Sequence, residues 1–176
     1  MAKKQRLDKA IAMQGSLSRS EVKTLIRKGA VTVNGQVVKN ADFGVDFDSD
    51  TVAVQGKELS LSMHIYLMLN KPKGVVSASE DKKLPTVVDL VPKELWRKGL
   101  FPAGRLDKDT TGFVLITDDG EFAHDILSPK KHISKTYHAL VNGTITDEMV
   151  EGFAKGVTIG EDFTLPASLK KISSEE

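Results

Sequence analysis

The stretch AVTVNGQVV, residues 30–38, constrains the fold of this chain more tightly than any other. Two β-branched runs flank Asn34-Gly35. A two-residue type I′ turn needs positive φ at both central positions, which Asn and Gly adopt at least steric cost. A hairpin is predicted there, and the segments around it must suit one. Ser18-Arg19-Ser20-Glu21 matches a capping box, with Ser18 as N-cap and Glu21 at the third helical position. Val22, Leu25 and Ile26 then form an apolar helical face, and Gly29 stops the helix. Upstream, Leu7, Ala10 and Ile11 recur at helical spacing and Gly15 closes a first helix. Downstream, TVAVQGKEL adds another strand. Residues 1–60 read as one small unit of two helices and several strands.

Charge is unevenly placed along the chain. The formal net charge is only +1, yet residues 1–40 hold nine Lys or Arg against Asp8 and Glu21. Residues 41–62 hold five acids against Lys57. A basic first segment on a near-neutral body suits contact with a polyanion, or a merely solvated surface. Arg19, Lys23 and Arg27 are four apart and line one side of the second helix, with Lys28 beside them. Apolar residues make up 40% of the chain, enough to bury a core. No apolar run is long enough to span a bilayer, which argues against a membrane partner. MAKKQRLDKAIAMQG lacks the apolar stretch of a secretory signal. There is no cysteine, hence no disulfide and no thiolate metal site, and this fits a reducing cytoplasm.

With its helices, hairpin and basic stripe in place, RLDKAIAMQGSLSRSEVKTLIRKGAVTVNGQVV resembles the S4 RNA-binding module over almost its whole length. In that family the second helix and the following loop face RNA. The resemblance implies that Arg6, Arg19, Ser20, Lys23, Arg27, Lys28 and Asn34 lie on or near an RNA surface. Ser20 can equally be read as a helper of the helix cap.

ELSLSMH, residues 58–64, reads as a linker into a second module over residues 61–176. IYLMLN is strand-like, and Asn70-Lys71-Pro72-Lys73-Gly74 is a turn. LPTVVDLV is predicted helical, FVLIT a buried strand, and EFAHDILS a helix that starts near Asp118-Asp119-Gly120 and ends at Pro129. KTYHALVNG is predicted as a strand, TDEMVEGFAKG as an amphipathic helix with acids in its first turn, and VTIGEDFTLPASLKKI as strand and loop. The irregular interleaving predicts an α+β module around a mixed or antiparallel sheet. Lys130, Lys131 and His132 form a basic loop that could be solvated or touch RNA.

GRLDKDTTG, residues 104–112, places an arginine and a carboxylate two residues apart just before FVLIT. In an extended segment both side chains point the same way. Arg105 could then pair with Asp107 and favour its ionised form, reach a phosphate, or fill the space left by an extruded base. Asp109, Thr110 and Thr111 are residues that shape loops. Together with NKPKG, FVLITDDGEFAHDILSP and KTYHALV, this stretch resembles the pseudouridine synthases, in the branch that includes the small-subunit rRNA enzymes. The resemblance runs from about Ile65 to the end of the chain. It implies isomerisation of uridine within RNA, with no cofactor and no metal. The N1–C1′ bond breaks, the uracil turns, and C5 rejoins C1′. It implies Asp107 as nucleophile, at C1′ of the sugar or C6 of the base. Tyr137 would lie against the uracil face and could move the proton on C5, with Lys135 as electrostatic support.

The expected partner is ribosomal RNA, small-subunit (16S) from the FAKGV and TLPASL stretches, free or in an assembling subunit. The expected state is a cytoplasmic monomer. Two other readings compete: a non-catalytic RNA-binding or assembly protein with a degenerate synthase domain, and a standalone S4-type stress or translation factor with an unrelated second domain. The GRLD and KTY pair argues against the latter. The family resemblance further implies a basic motif beyond LKKISSEE. The expectation is therefore a fragment or a shortened protein that binds RNA with weak activity or none.

Overall fold

Asn34 and Gly35 take φ of 51° and 77°, the left-handed backbone that the hairpin demands. The computed structural model describes residues 4–15, 17–131 and 133–172; His132 of the basic loop and the terminal SSEE lie outside them. Two compact units are present, Met1–Ile133 and Ser134–Glu176.

The first unit begins with strand β1 (Gln5–Arg6), helix α1 (Leu7–Met13) and helix α2 (Arg19–Arg27). The predicted capping box is formed: Ser18 accepts from the Glu21 amide, and the Glu21 carboxylate accepts from the Ser18 amide. Strands β2 (Val31–Val33) and β3 (Gln36–Val37) form the predicted hairpin, and β4 (Gly44–Val45) pairs with β1. TVAVQGKEL is two strands, not one. Gln55 and Gly56 have φ of 52° and 77° and turn β5 (Val52–Val54) into β6 (Lys57–Leu59). A second type I′-like turn, signalled only by Gln-Gly, makes this difference, and the predicted linker starts inside β6. The sheet order is β3-β2-β5-β6, all antiparallel. Its inward valines, Val31, Val33, Val52 and Val54, meet Leu7, Ala10, Ile11, Val22 and Ile26 in one core.

A second core lies further along the same unit. Strands β7 (Tyr66–Lys71), β8 (Phe101–Ala103) and β9 (Gly112–Thr117) form an antiparallel sheet in the order β7-β9-β8. In the β7–β9 register Leu67 faces Ile116 and Leu69 faces Val114, so these four share a face. That face packs with Val75, Val87, Val88, Leu100 and Leu106. Helix α3 (Gly120–Leu127) follows, capped by Asp119 as predicted from Asp118-Asp119-Gly120. LPTVVDLV is not a helix. Thr86 and Asp89 bond reciprocally through side chains and amides, and Val76 bridges Thr86, which holds the segment as turns.

The second unit holds α4 (Asp147–Lys155), capped by Thr146, and a hairpin of β10 (Thr158–Ile159) with β11 (Asp162–Phe163). KTYHALVNG forms no strand among the described residues, and a strand is stable only as part of a sheet. None of the described residues in 134–172 is buried.

Candidate functional site

Asp107 stands on the loop between β8 and β9, and the backbone of that loop is tied down on the side away from solvent. Leu106 turns into the second core, leaving Arg105 and Asp107 exposed on either side of it. The alternation expected of an extended segment is thus present. Beneath the loop lies Lys71, the last residue of β7, with no solvent exposure at all. Its ammonium donates to the carbonyls of Pro72 (3.0 Å), Lys108 (2.9 Å) and Thr110 (2.8 Å). A buried ammonium is costly unless its donors are satisfied, and three carbonyls satisfy all three. The Gly74 amide donates to the Lys108 carbonyl as well. Ser77 Oγ donates to the Leu106 carbonyl at 2.7 Å and accepts from the Leu106 amide at 3.0 Å. Asp107 is therefore bracketed by anchored residues on both sides, and its own carbonyl closes a turn with the Thr110 amide. Thr110 shapes the loop through its carbonyl.

Arg105 does not pair with this carboxylate. Among the described residues no Lys, Arg or His lies within 4.0 Å of the Asp107 carboxylate, so the possible Arg105–Asp107 pair is not formed. Tyr137 lies in the second unit, 66% exposed and on irregular backbone. Lys71, Gly74 and Ser77 were not legible as site residues. NKPKG marked a turn, but nothing local signals that its first lysine is buried under another loop.

The basic residues at the other end of the unit are organised around one acid. Asp8, fully buried, accepts from Arg6 Nε and Nη2 (3.2 and 3.1 Å) and from Arg19 Nε and Nη2 (3.1 and 3.2 Å), with Lys23 Nζ at 3.7 Å. Burial alone would raise the Asp8 carboxyl, but the hydrogen bonds from Arg6 and Arg19 outweigh it and hold the group down at about 2. Arg6 also pairs with Asp42. A hollow of about 400 Å³ opens here, lined by Arg6, Lys23, Arg27, Lys39, Asn40 and Asp42. Four cations against one lining acid make it suited to an anion. Lys39 and Asn40 were missed because they follow the hairpin, outside the helical stripe. Ser20 sits exposed at the start of α2, with its Oγ 3.1 Å from that of Ser18. Lys28 is exposed at the end of α2. Asn34 spends its amide inside the module, donating to Asp50 and accepting from the Thr51 amide.

The sequence model of the RNA pseudouridylate synthase family matches residues 65–171, and that of the S4 domain matches residues 5–52. This chain belongs to the RNA pseudouridylate synthase family. The synthase match takes in Lys71, Arg105, Asp107 and Tyr137, while the S4 match takes in the whole cluster around Asp8. Among curated relatives, an uncharacterized RNA pseudouridine synthase of Bacillus subtilis is 48% identical over 88% of this chain and 64% of its own length. Ribosomal small subunit pseudouridine synthase A of Escherichia coli is 43% identical over 96% of this chain and 73% of its own. Ribosomal large subunit pseudouridine synthase B of Bacillus subtilis is 39% identical over 98% and 70%. The chain thus spans about two thirds to three quarters of the length of these synthases. A solved structure described as a pseudouridylate synthase superposes with a TM-score of 0.51 at 32% identity, over 96% of this chain and 73% of that one.

Proposed function

We propose that this synthase converts a uridine of ribosomal RNA to pseudouridine, with Asp107 as the nucleophile. One observation carries the reading: an exposed carboxylate on a loop locked from below by Lys71, Gly74 and Ser77. A nucleophile must be ionised and held still. The anchored backbone holds Asp107 in place. The uridine is extruded from its stack to meet it. The carboxylate bonds to C1′ or to C6, the N1–C1′ bond breaks, the uracil turns, C5 bonds to C1′, and the bond to Asp107 breaks to restore the carboxylate. The proton leaving C5 passes through the Tyr137 hydroxyl, which takes it up as it gives its own to solvent, and N1 gains one. No atom is gained or lost. Arg105, exposed beside Asp107, contacts a phosphate or fills the space of the extruded base.

Residues 1–60 act as the RNA-docking module and residues 61–176 as the synthase domain. Arg6, Arg19, Ser20, Lys23, Arg27, Lys28 and Asn34 belong to the RNA-facing surface. The substrate is small-subunit (16S) rRNA, and the protein works as a cytoplasmic monomer. The relatedness to both small- and large-subunit enzymes supports ribosomal RNA as the substrate class. A second reading, RNA binding without turnover, is favoured by the lack of an ion-paired cation at Asp107 among the described residues. The deciding experiment is label release from C5-tritiated, unmodified rRNA by the chain and by Asp107→Asn, with RNA affinity measured alongside. Release that vanishes in the variant, at unchanged affinity, supports catalysis. Equal affinity with no release from either protein supports the second reading.

A further inference from the structure

Between the basic cluster around Asp8 and the Asp107 loop lies a buried side chain to which no role has been given. Arg97 is 6% exposed and comes from the loop before β8. Its Nη2 donates to Gln14 Oε1 at 2.9 Å and to Ser62 Oγ at 3.0 Å. Its Nη1 lies 3.4 Å from both the Ser62 carbonyl and Asp118 Oδ2. Gln14, just past the end of α1, donates from Nε2 to the Ala10 and Ser62 carbonyls and accepts the Ser62 amide on Oε1. Asp118, just past the end of β9, accepts the Ile65 amide on Oδ1, with His64 Nδ1 on the same oxygen. One guanidinium thus ties three segments that are far apart in sequence: the end of α1, the link into β7, and the end of β9.

A second observation, independent of charge, marks the same seam. Gly15 has φ of +114°, and a Cβ there would clash with the Trp96 carbonyl oxygen. The end of α1 and the loop carrying Arg97 approach as closely as backbone allows, and only glycine permits it.

The seam sits between the two candidate sites. Asp8 is at the start of α1 and Gln14 just beyond its end, about 10 Å apart at the helical rise. Asp118 follows β9, whose other end adjoins the Asp107 loop. Six extended residues put the seam about 20 Å from that loop. Both connectors are regular elements packed into buried cores.

We propose that Arg97, with Gln14, Ser62 and Asp118, is a brace that fixes the spacing between the S4 module's basic face and Asp107, and so determines which uridine of a docked RNA reaches the nucleophile. These are positioning residues: none of them meets RNA. The selection of a uridine rests on the function proposed above; the rigidity of the brace does not.

The chain has no cysteine, so paired spin labels can be placed cleanly on the full chain at Lys57→Cys in β6 and His124→Cys in α3. Double electron–electron resonance should give one narrow distance distribution. Gln14→Leu, Gly15→Ala and Arg97→Met should each broaden it. Gln14 is only half-buried, so Gln14→Leu keeps the test valid if Arg97→Met or Gly15→Ala fails to fold. An unbroadened distribution in folded Gln14→Leu overturns the brace. On unmodified rRNA the same variants should keep the wild-type affinity and salt slope. They should lose on the order of tenfold in turnover at the main site, as a misplaced reacting group does, and modify neighbouring uridines as well. Broadening with unchanged turnover and site selection overturns the role in choosing the uridine. Absence of turnover in the wild type overturns the proposed function instead, and the distance widths still decide the brace.

Discussion

Two buried charged groups, Asp8 and Lys71, carry opposite signs and do similar work. Each is surrounded by the groups it needs, and each positions a surface that itself stays in solvent. The pairing of Asp8 makes a pH dependence. Its carboxyl is lowered from 3.8 in the reference state to about 2 in the fold. A lowered folded pKa contributes stability above the unfolded value, and that stability is lost as pH falls through the folded value. The contribution should therefore vanish between about pH 4 and pH 2. It amounts to about 2 kcal/mol at most, discounted because Arg6 and Arg19 are half exposed. Asp8→Asn should lower stability by about 1–2 kcal/mol near neutrality and flatten the acid limb of the denaturation curve. An unchanged acid limb would contradict the pairing. For Lys71→Met, which keeps the apolar stem and removes three donors, a loss of about 3 kcal/mol is expected. Turnover should fall more than RNA affinity, because the ammonium holds the Asp107 loop and no part of the S4 module. Chemical denaturation and single-turnover kinetics measure the two effects.

Helix α2 and the turn after β3 share the basic hollow, but their cations are not equivalent. Arg19 and Lys23 lean on Asp8, so replacing either one changes stability as well as the RNA contact proposed for it. Arg27 and Lys39 line the hollow without touching Asp8. Arg27→Gln and Lys39→Gln should each reduce the slope of log affinity against log salt by about 0.7–0.9 and leave the melting temperature in place. A melting shift without a slope change would remove these residues from the RNA surface. The predicted helical stripe and the hollow overlap only partly: the stripe follows one helix, whereas the hollow is made where a second segment comes alongside it.

Across the whole molecule, burial is unequal. The first unit holds two cores, while residues 134–172 bury no described side chain and expose Leu140, Ile159, Phe163 and Leu165. Segments with few buried contacts open at low free energy. Limited proteolysis should therefore cut first between residues 134 and 146, before α4, and leave the first unit intact. First cleavage within residues 5–61 would contradict this. Large exposed apolar side chains also favour self-association. Light scattering should show a monomer at low concentration and a mass that rises only as concentration increases, and truncation after Ile133 should reduce that rise.

Local rules made much of the architecture legible. Asn34-Gly35 determined a hairpin, Ser18 and Glu21 a helix start, and the run FVLIT a buried strand, because turn chemistry, capping and strand burial act over a few residues. The motifs around Asp107 carried the family for the same reason: they are short and contiguous. Where those rules failed, the deciding partner was distant. LPTVVDLV became a turn through Thr86, Asp89 and a bridge to Val76, and KTYHALVNG joins no sheet among the described residues. Nothing near Lys71 announces its burial, nothing near Gln14 announces Arg97, and no local signal sets Asp8 among three cations. Long-range contacts decide which charge is buried and which backbone is held, since a charge can leave water only where the fold brings its partners to it.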